Sequence, residues 1–250
     1  MQVAILCGGK GLRSFPFNSY LPKPLLPLRG TPIVVHLIRS FIAQGFREFV
    51  LLAGYRKAAL DDYFDGKDLG ADIAIVDTGE DANTGERLYA CRDLLGPCFV
   101  ATYADGLCDV PFAGLLGYHR SHGGPVTVTT VPLRSQYGVL SIASDGAVTE
   151  MREKPVIDGA WVNAGFMVID QSTFATWRGA DLEREVLPHL IARGLVHAYR
   201  HRGFFKSADS YKDVVEFEAL MQDGRTPWVN PHTSATWSEL PARSAALVVG

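Results

Sequence analysis

Apolar positions recur along this chain at two different spacings, and the switches between them lay out its elements. A continuous apolar run at 3–6 has the length of a buried strand. Ile33, Leu37, Ile38, Phe41 and Ile42 then fall on one helical face, with Thr31 as N-cap, Pro32 in the first turn and Gly45 at the stop. A strand over 48–52, a short amphipathic helix over about 57–64 and a strand over 73–76 follow. Next come a polar loop leading into a helix that carries Arg87, a strand over 98–102, a helix over 111–122 and a β-branched strand over 126–132. Segments 137–142 and 148–152 flank a Ser144-Asp145-Gly146 turn and predict a hairpin. Asp181 caps a helix over about 182–193, with Glu183 and Glu185 in its first turn and a bend at Pro188. A strand over 195–201 and a helix over 210–222 complete the pattern. The early strand–helix–strand rhythm predicts an α/β fold with a doubly wound, mostly parallel sheet and ligands at the carboxyl ends of its strands.

Composition narrows the picture a little. With 47% apolar and 20% charged residues the chain reads as soluble and globular, and 250 residues suffice for one core, so a single domain over 1–250 is expected. A formal net charge of −3 argues against broad binding to nucleic acid or to an anionic membrane and leaves room for a local polyanion site. No apolar run reaches the ~18 residues of a membrane span. A strand begins directly after Met1, so no leader is expected, and Cys7, Cys91, Cys98 and Cys108 lack C-x-x-C spacing and are expected as free thiols in a reducing cytoplasm.

Candidate chemistry starts where the first strand ends. Gly8, Gly9 and Gly11 surround Lys10 after Leu6, Leu12 and Arg13 follow, and Lys23 stands between Pro22 and Pro24. Glycines there let backbone N–H groups approach a phosphate, and Arg13 and Lys23 add a planar fork and a point charge. Taken alone, three glycines fit a plain turn beside solvated cations better than a phosphate site. Asp105 follows the strand over 98–102, where a carboxylate can hold a hard cation such as Mg2+ or simply begin the turn at Gly106. Asp109 reads as structural. Glu153-Lys154-Pro155 closes the hairpin as a charged bend, and His197 and His201 read as ordinary polar positions without ligand partners.

Taken together and in order, these stretches resemble the motifs of the sugar-1-phosphate nucleotidyltransferases. The opening resembles GGxGTRLxPxTxxxPKP at Gly8, Gly9, Gly11, Arg13, Pro22, Lys23 and Pro24, with Leu12 for Thr, Ser14 for Leu, and Tyr20 breaking the middle. Segment 76–88 is similar to VDTGxxxxTGGRL of the glucose-1-phosphate cytidylyltransferases, with Glu86 for the second Gly, and 102–110 to TYGDGxxDV, with Ala104 for Gly. The EKP, the YGVL before it and the VNAGF after it match the family's sugar-pocket segments. Segment 203–213 resembles GFWxPMDTxRD and supplies Asp209, and 181–187 resembles WExEPL.

The resemblance implies a Rossmann-like fold with a small β-hairpin sugar-binding insertion and a C-terminal helical segment. The nucleotide-binding half spans about 1–135, the sugar-phosphate half about 136–222, and a tail 223–250. It implies nucleotide contacts from Leu6, Gly8, Gly9, Lys10, Gly11, Leu12, Arg13, Lys23, Arg87 and Ala104, with Arg13 and Lys23 catalytic. Asp105 and Asp209 would hold Mg2+, and Gly138, Glu153, Lys154 and Asn163 would take the sugar phosphate, with Lys154 on its phosphate. Ala164 replaces a Gly and would add a methyl group where a sugar packs.

The reaction implied is CTP plus a sugar 1-phosphate, glucose 1-phosphate foremost, giving CDP-sugar and pyrophosphate. A homo-oligomer is expected, with no nucleic-acid or membrane partner, although the connection over 63–76 is shorter than the family's. The alternatives are another triphosphate or acceptor, and a catalytically silent nucleotide-sugar-binding regulator. Keeping Arg13, Lys23, Asp105, Lys154 and Asp209 together speaks against the silent reading. The tail, with Trp228 and Trp237, fits no motif and is expected as a strap over the surface or a partner subunit.

Overall fold

The first strand, β1 (Gln2–Leu6), shows how the molecule is layered in the computed structural model, which describes residues 1–11 and 21–229. Val3 and Ile5 face one side and Ala4 and Leu6 the other, and all four are buried in two separate cores. A strand buried on both faces requires cover on both, which is the doubly wound arrangement.

A 3₁₀ turn over Lys23–Leu25 precedes a minimal ribbon of β2 (Pro27–Leu28) and β3 (Thr31–Pro32). It feeds α1 (Ile33–Ala43), whose N-terminus differs from expectation: Pro32 holds the N-cap position and Thr31 is extended. The Ile33 N–H donates to the Leu26 carbonyl at 2.9 Å, so one amide at the helix start is already satisfied without a hydroxyl cap. There follow β4 (Glu48–Ala53), α2 (Lys57–Phe64), β5 (Asp72–Asp77), α3 (Thr84–Ala90), β6 (Cys98–Tyr103), β7 (Gly106–Cys108), α4 (Phe112–His122) and β8 (Val126–Arg134). The hairpin of β9 (Val139–Ile142) and β10 (Val148–Arg152) leads into the long β11 (Val156–Asp170). A π-helical turn over Leu182–Val186, capped by Asp181, runs into α5 (Leu187–Ala192). Then come β12 (Val196–Arg200), β13 (Phe205–Ser207) and α6 (Tyr211–Gln222).

The seven-stranded sheet has the order β12-β8-β11-β6-β1-β4-β5. It is mostly parallel, and β11 is its reversed strand, antiparallel to both β6 and β8. The reason is the connection: β8 returns through a hairpin rather than a crossover helix, and a short return delivers an antiparallel neighbour. The other six strands therefore end at one edge.

On one face α1, α4 and α6 cover the sheet, with Phe41 packed 4.5 Å from Phe112 between ring centroids. The opposite face is covered by Leu88 of α3, the Leu182–Val186 turn and α5, and Phe99 stacks there on Phe174 at 5.9 Å. Trp228, expected on a surface strap, is instead fully buried against Phe217, Phe204 and His36. A large ring over a gap beside α6 gains more by closing the core than by lying on it. Trp237 lies outside the described residues. Among the described residues all four cysteines are free, and no helix is long and apolar enough to cross a membrane.

Candidate active site

Because β1 and β6 are neighbours, Leu6 beside Tyr103, the loops that leave their carboxyl ends run side by side. Between them opens a cleft of about 260 Å³. Leu6, Gly8, Gly9 and Gly11 form one wall, and Lys23, Arg87, Ala104 and Asp105 contribute to the rest. Lys10 points instead to the rim, where it donates to Asp81 at 2.8 Å and lies 3.4 Å from Glu80. Leu12 and Arg13 lie outside the described residues.

Asp105 lines the cleft, and a small device of register brings Asp209 beside it, onto the same lysine. Off the main sheet, β7 pairs antiparallel with β13, Gly106 opposite Ser207. One step further Ala208 N–H donates to the Asp105 carbonyl at 2.9 Å, and Asp209 follows. A pairing across about a hundred residues of sequence thus sets two carboxylates beside one lysine. Lys23, almost fully buried, bonds Asp105 and lies 3.0 Å from Asp209 Oδ1. Ser207 Oγ donates to the other Asp209 oxygen at 2.7 Å and fixes its orientation. Cys7 also lines the cleft, but burial first, and then Asp105, push its thiol far up, so it stays protonated and is no nucleophile.

Arg87 has a different part. It is 3% exposed and its terminal nitrogens face the protein: Nη1 donates to Thr78 Oγ1 at 2.6 Å and to the carbonyls of Gly79 at 2.7 Å and Ala53 at 3.1 Å. Nη2 donates to the carbonyls of Gly8 at 3.0 Å and Glu80 at 3.2 Å. Burial lowers its pKa, with Asp77 opposing. A Cβ on Gly8 or on Gly54 would sit 2.1 or 2.4 Å from Nη1, so these glycines are the space that Arg87 fills. Arg87 clamps the glycine loop to the end of β4 and to loop 78–80. The departure at Glu86 also has a local reason, since its carboxylate accepts the Asn83 N–H at 2.8 Å in a capping box that starts α3.

The residues expected on the acceptor side form a second group, and none of them lines the 260 Å³ cleft. Lys154 is exposed, 3.8 Å from Glu153, and has φ +45° just before a proline. That backbone state costs about 1–3 kcal/mol for a residue with a Cβ. Gly138 leaves room across the hairpin: a Cβ there would lie 3.1 Å from Glu153 Oε2 and 2.9 Å from Met151 Cε. Asn163 Oδ1 accepts the Gly165 N–H at 2.9 Å, in the stretch where the β11 register shifts. Ala164 is buried in the core with α1, so its methyl group packs inward and not toward the cleft.

Sequence reasoning missed Tyr103, Asn83 and Thr84, which also line the cleft. The Asn83-to-Glu86 capping pattern was a usable signal for the second and third. Tyr103 had none: it sits against Gly165, where a Cβ would be 2.7 Å away, and its hydroxyl donates to Glu183, whose carboxyl is raised in pKa by burial. His201 likewise proved partnered, with Nε2 2.6 Å from Asp109 Oδ1, and His197 stacks on His122 at 3.9 Å.

Residues 2–225 match the nucleotidyl transferase family. The chain belongs to that family. This nucleotidyl transferase is 32% identical over 254 residues to the probable glucose-1-phosphate cytidylyltransferase of Bacillus subtilis (strain 168), over 91% of this chain and 99% of that one. It is 29% identical over 259 residues to the glucose-1-phosphate cytidylyltransferase of Salmonella typhimurium, over 91% and 98% of the two chains. Among solved structures, HddC from Yersinia pseudotuberculosis matches with a TM-score of 0.71 and 18% identity, over 88% of this chain and 99% of that one, a likeness of fold alone.

Proposed function

We propose that this nucleotidyl transferase moves a cytidylyl group from CTP to a sugar 1-phosphate, glucose 1-phosphate foremost, and releases pyrophosphate. A phosphate oxygen of the acceptor attacks the α-phosphorus of CTP, the bond to the bridging oxygen breaks, and pyrophosphate leaves with that electron pair. The acceptor oxygen is already ionised near neutral pH, so no general base is needed. Both reactants are anions, and the protein's tasks are to align them and to neutralise charge.

The cleft residues suit those tasks. The glycine loop presents backbone amides to the triphosphate and Lys23 stands beside the α-phosphorus, while Arg13, outside the described residues, is assigned the leaving end on its motif match alone. Lys154 places the acceptor's phosphate, and the strained backbone at that residue supports a positioned rather than incidental lysine. Two hard carboxylates, Asp105 and Asp209, converge on a single cationic point, now held by the Lys23 ammonium, and that donor set fits Mg2+. When bound, Mg2+ supplies charge neutralisation for the triphosphate at these two residues.

The observation that carries the choice of base and acceptor is the 29% and 32% identity, over 91% of this chain, to a glucose-1-phosphate cytidylyltransferase and to a probable one. Pyrophosphate release across a matrix of CTP, UTP, dTTP, ATP and GTP with several sugar 1-phosphates and Mg2+ tests it. Turnover is expected to be highest with CTP. A preference for another triphosphate would keep the transfer and discard the cytidylyl assignment, and release with no pair would favour a silent nucleotide-sugar-binding protein.

A further inference from the structure

Far from the glycine loop, at the opposite ends of the same strands, the antiparallel register sets Asp170 of β11 directly beside Cys98 of β6. Paired residues in a ladder send their side chains to the same face. Over that face lies α4, which brings His119 down onto them, 5% exposed. Cys98 Sγ, His119 and an Asp170 carboxylate oxygen come within 4.8 Å of one another. All three line a second cavity, of about 330 Å³, open to solvent.

We propose that Cys98, His119 and Asp170 form a site for a four-coordinate transition-metal cation, Zn2+ in the first instance, with water from the cavity as fourth ligand. The inference is independent of the transfer reaction and of the cleft. Thiolate, imidazole and carboxylate are the mixed donor set that Zn2+ takes, and three protein ligands plus an open position is a recurrent zinc arrangement. Metal–ligand bonds of about 2.0–2.3 Å at tetrahedral angles put neighbouring donor atoms roughly 3.3–3.8 Å apart. His119 Nε2 and Asp170 Oδ1 are 3.3 Å apart, long for a charge-assisted hydrogen bond but close to that edge. Thiolate and carboxylate together neutralise a divalent ion, so the loaded site carries no net buried charge.

A chain of hydrogen bonds behind His119 orients it. Gly124 N–H donates to His122 Nδ1 at 2.9 Å, which leaves the His122 proton on Nε2, 2.7 Å from Thr127 Oγ1. His119 Nδ1 lies 2.8 Å from the same fully buried hydroxyl. With its proton on Nδ1, His119 donates to Thr127 and turns the Nε2 lone pair toward Cys98 and Asp170, the support that metal-binding histidines typically have. In the metal-free chain burial first, and then the hydrogen bond and charge of Asp170, push the Cys98 thiol up to about 12, while Arg120 on the cavity wall acts the other way. The thiol is therefore protonated, and loading must release that proton.

The second Cys–Asp–His group, Cys108, Asp109 and His201, supplies the contrast. His201 and Asp109 are 2.6 Å apart, a normal strong hydrogen bond, and a Cβ on Gly203 would lie 2.3 Å from Asp109, so backbone fills the space an ion needs.

The test uses the full chain, stripped with chelator and kept in excess Mg2+ so that the cleft carboxylates are occupied. Titration with Co2+ is expected to give a thiolate-to-metal charge-transfer band and the ligand-field bands of a four-coordinate ion, saturating at one equivalent and displaced by Zn2+. Both bands should vanish in Cys98→Ser and in Asp170→Asn and persist in Cys108→Ser, with metal-free circular dichroism checking each fold. Zn2+ should release about one proton per ion, and Thr127→Val should weaken it about 10–100-fold. Absence of the charge-transfer band in the wild-type chain, or its survival in Cys98→Ser, overturns the proposal.

Discussion

The half proposed to bind the nucleotide and the half proposed to bind the acceptor share one sheet but, among the described residues, are built to different standards of order. On the nucleotide side a buried arginine ties the glycine loop to two other segments, and the cleft lysine is almost fully buried. On the acceptor side β9 and β10 pair only with each other, and every residue of β10 is exposed. Its cross-strand pairs Leu140–Met151 and Ile142–Val148 are apolar yet stand 47–66% in solvent. A lone two-stranded ribbon is marginal in water, and segments with few buried contacts open at low free-energy cost. On the proposed assignment, the difference predicts that the described part of the nucleotide site is held in place before its ligand arrives, whereas the acceptor site is completed by its ligand.

The largest effect expected is at the point where the halves meet. Asp105→Asn and Asp209→Asn should each lower turnover about 100-fold or more, since the amide keeps the shape and removes the charge a hard cation needs. Neither should unfold the chain, because both carboxylates are partly exposed to solvent. Near-normal rates at limiting Mg2+ in either variant would strike that residue from the site.

Arg87→Met sharpens the comparison from the ordered side. It removes the donor to the Gly79 carbonyl and one of the donors to the carbonyls of Gly8 and Ala53, and should destabilise the chain by about 2–4 kcal/mol in urea unfolding as well as raise the KM for CTP. An arginine that only touched the nucleotide would raise KM and leave the unfolding midpoint in place.

On the open side Lys154→Met should raise the KM for the sugar phosphate about tenfold, with the fold and the KM for CTP kept, as expected for one lost charge-assisted contact. Lys23→Met should act chiefly on kcat. Steady-state kinetics in both substrates separates the two, and a Lys154→Met effect confined to CTP would break the assignment. The smallest change is Glu86→Gly, which removes half of a capping box and should cost about 1 kcal/mol of stability with little effect on either KM.

Much of this was legible in the chain because the determinants are local. The run at 3–6 with the glycines behind it, the helical face from Ile33 to Ile42 and the turn at Gly146 each announce an element within a few residues. The approach of Asp105 to Asp209 was readable only through motif resemblance, since the register of β7 on β13 joins them across the chain. What stayed hidden depends on partners far away in sequence. The protein partners of Arg87 stay unread because its five oxygen acceptors lie on three separate segments, and Trp228 reads as a surface residue until Phe204, Phe217 and His36 close around it. Thr31 reads as a cap until the Leu26 carbonyl is seen to take the helix's first amide.

Hydrogen exchange of the backbone, followed by mass spectrometry on the free chain, with CTP and Mg2+, and with the CDP-sugar product, tests the difference between the halves most directly. Segment 78–88 should be protected already in the free chain and change little with nucleotide, while 137–154 should exchange quickly until the sugar-bearing ligand is present and then slow about tenfold or more. Strong protection of the hairpin in the free chain, or fast exchange around Arg87 that only CTP suppresses, would contradict the account.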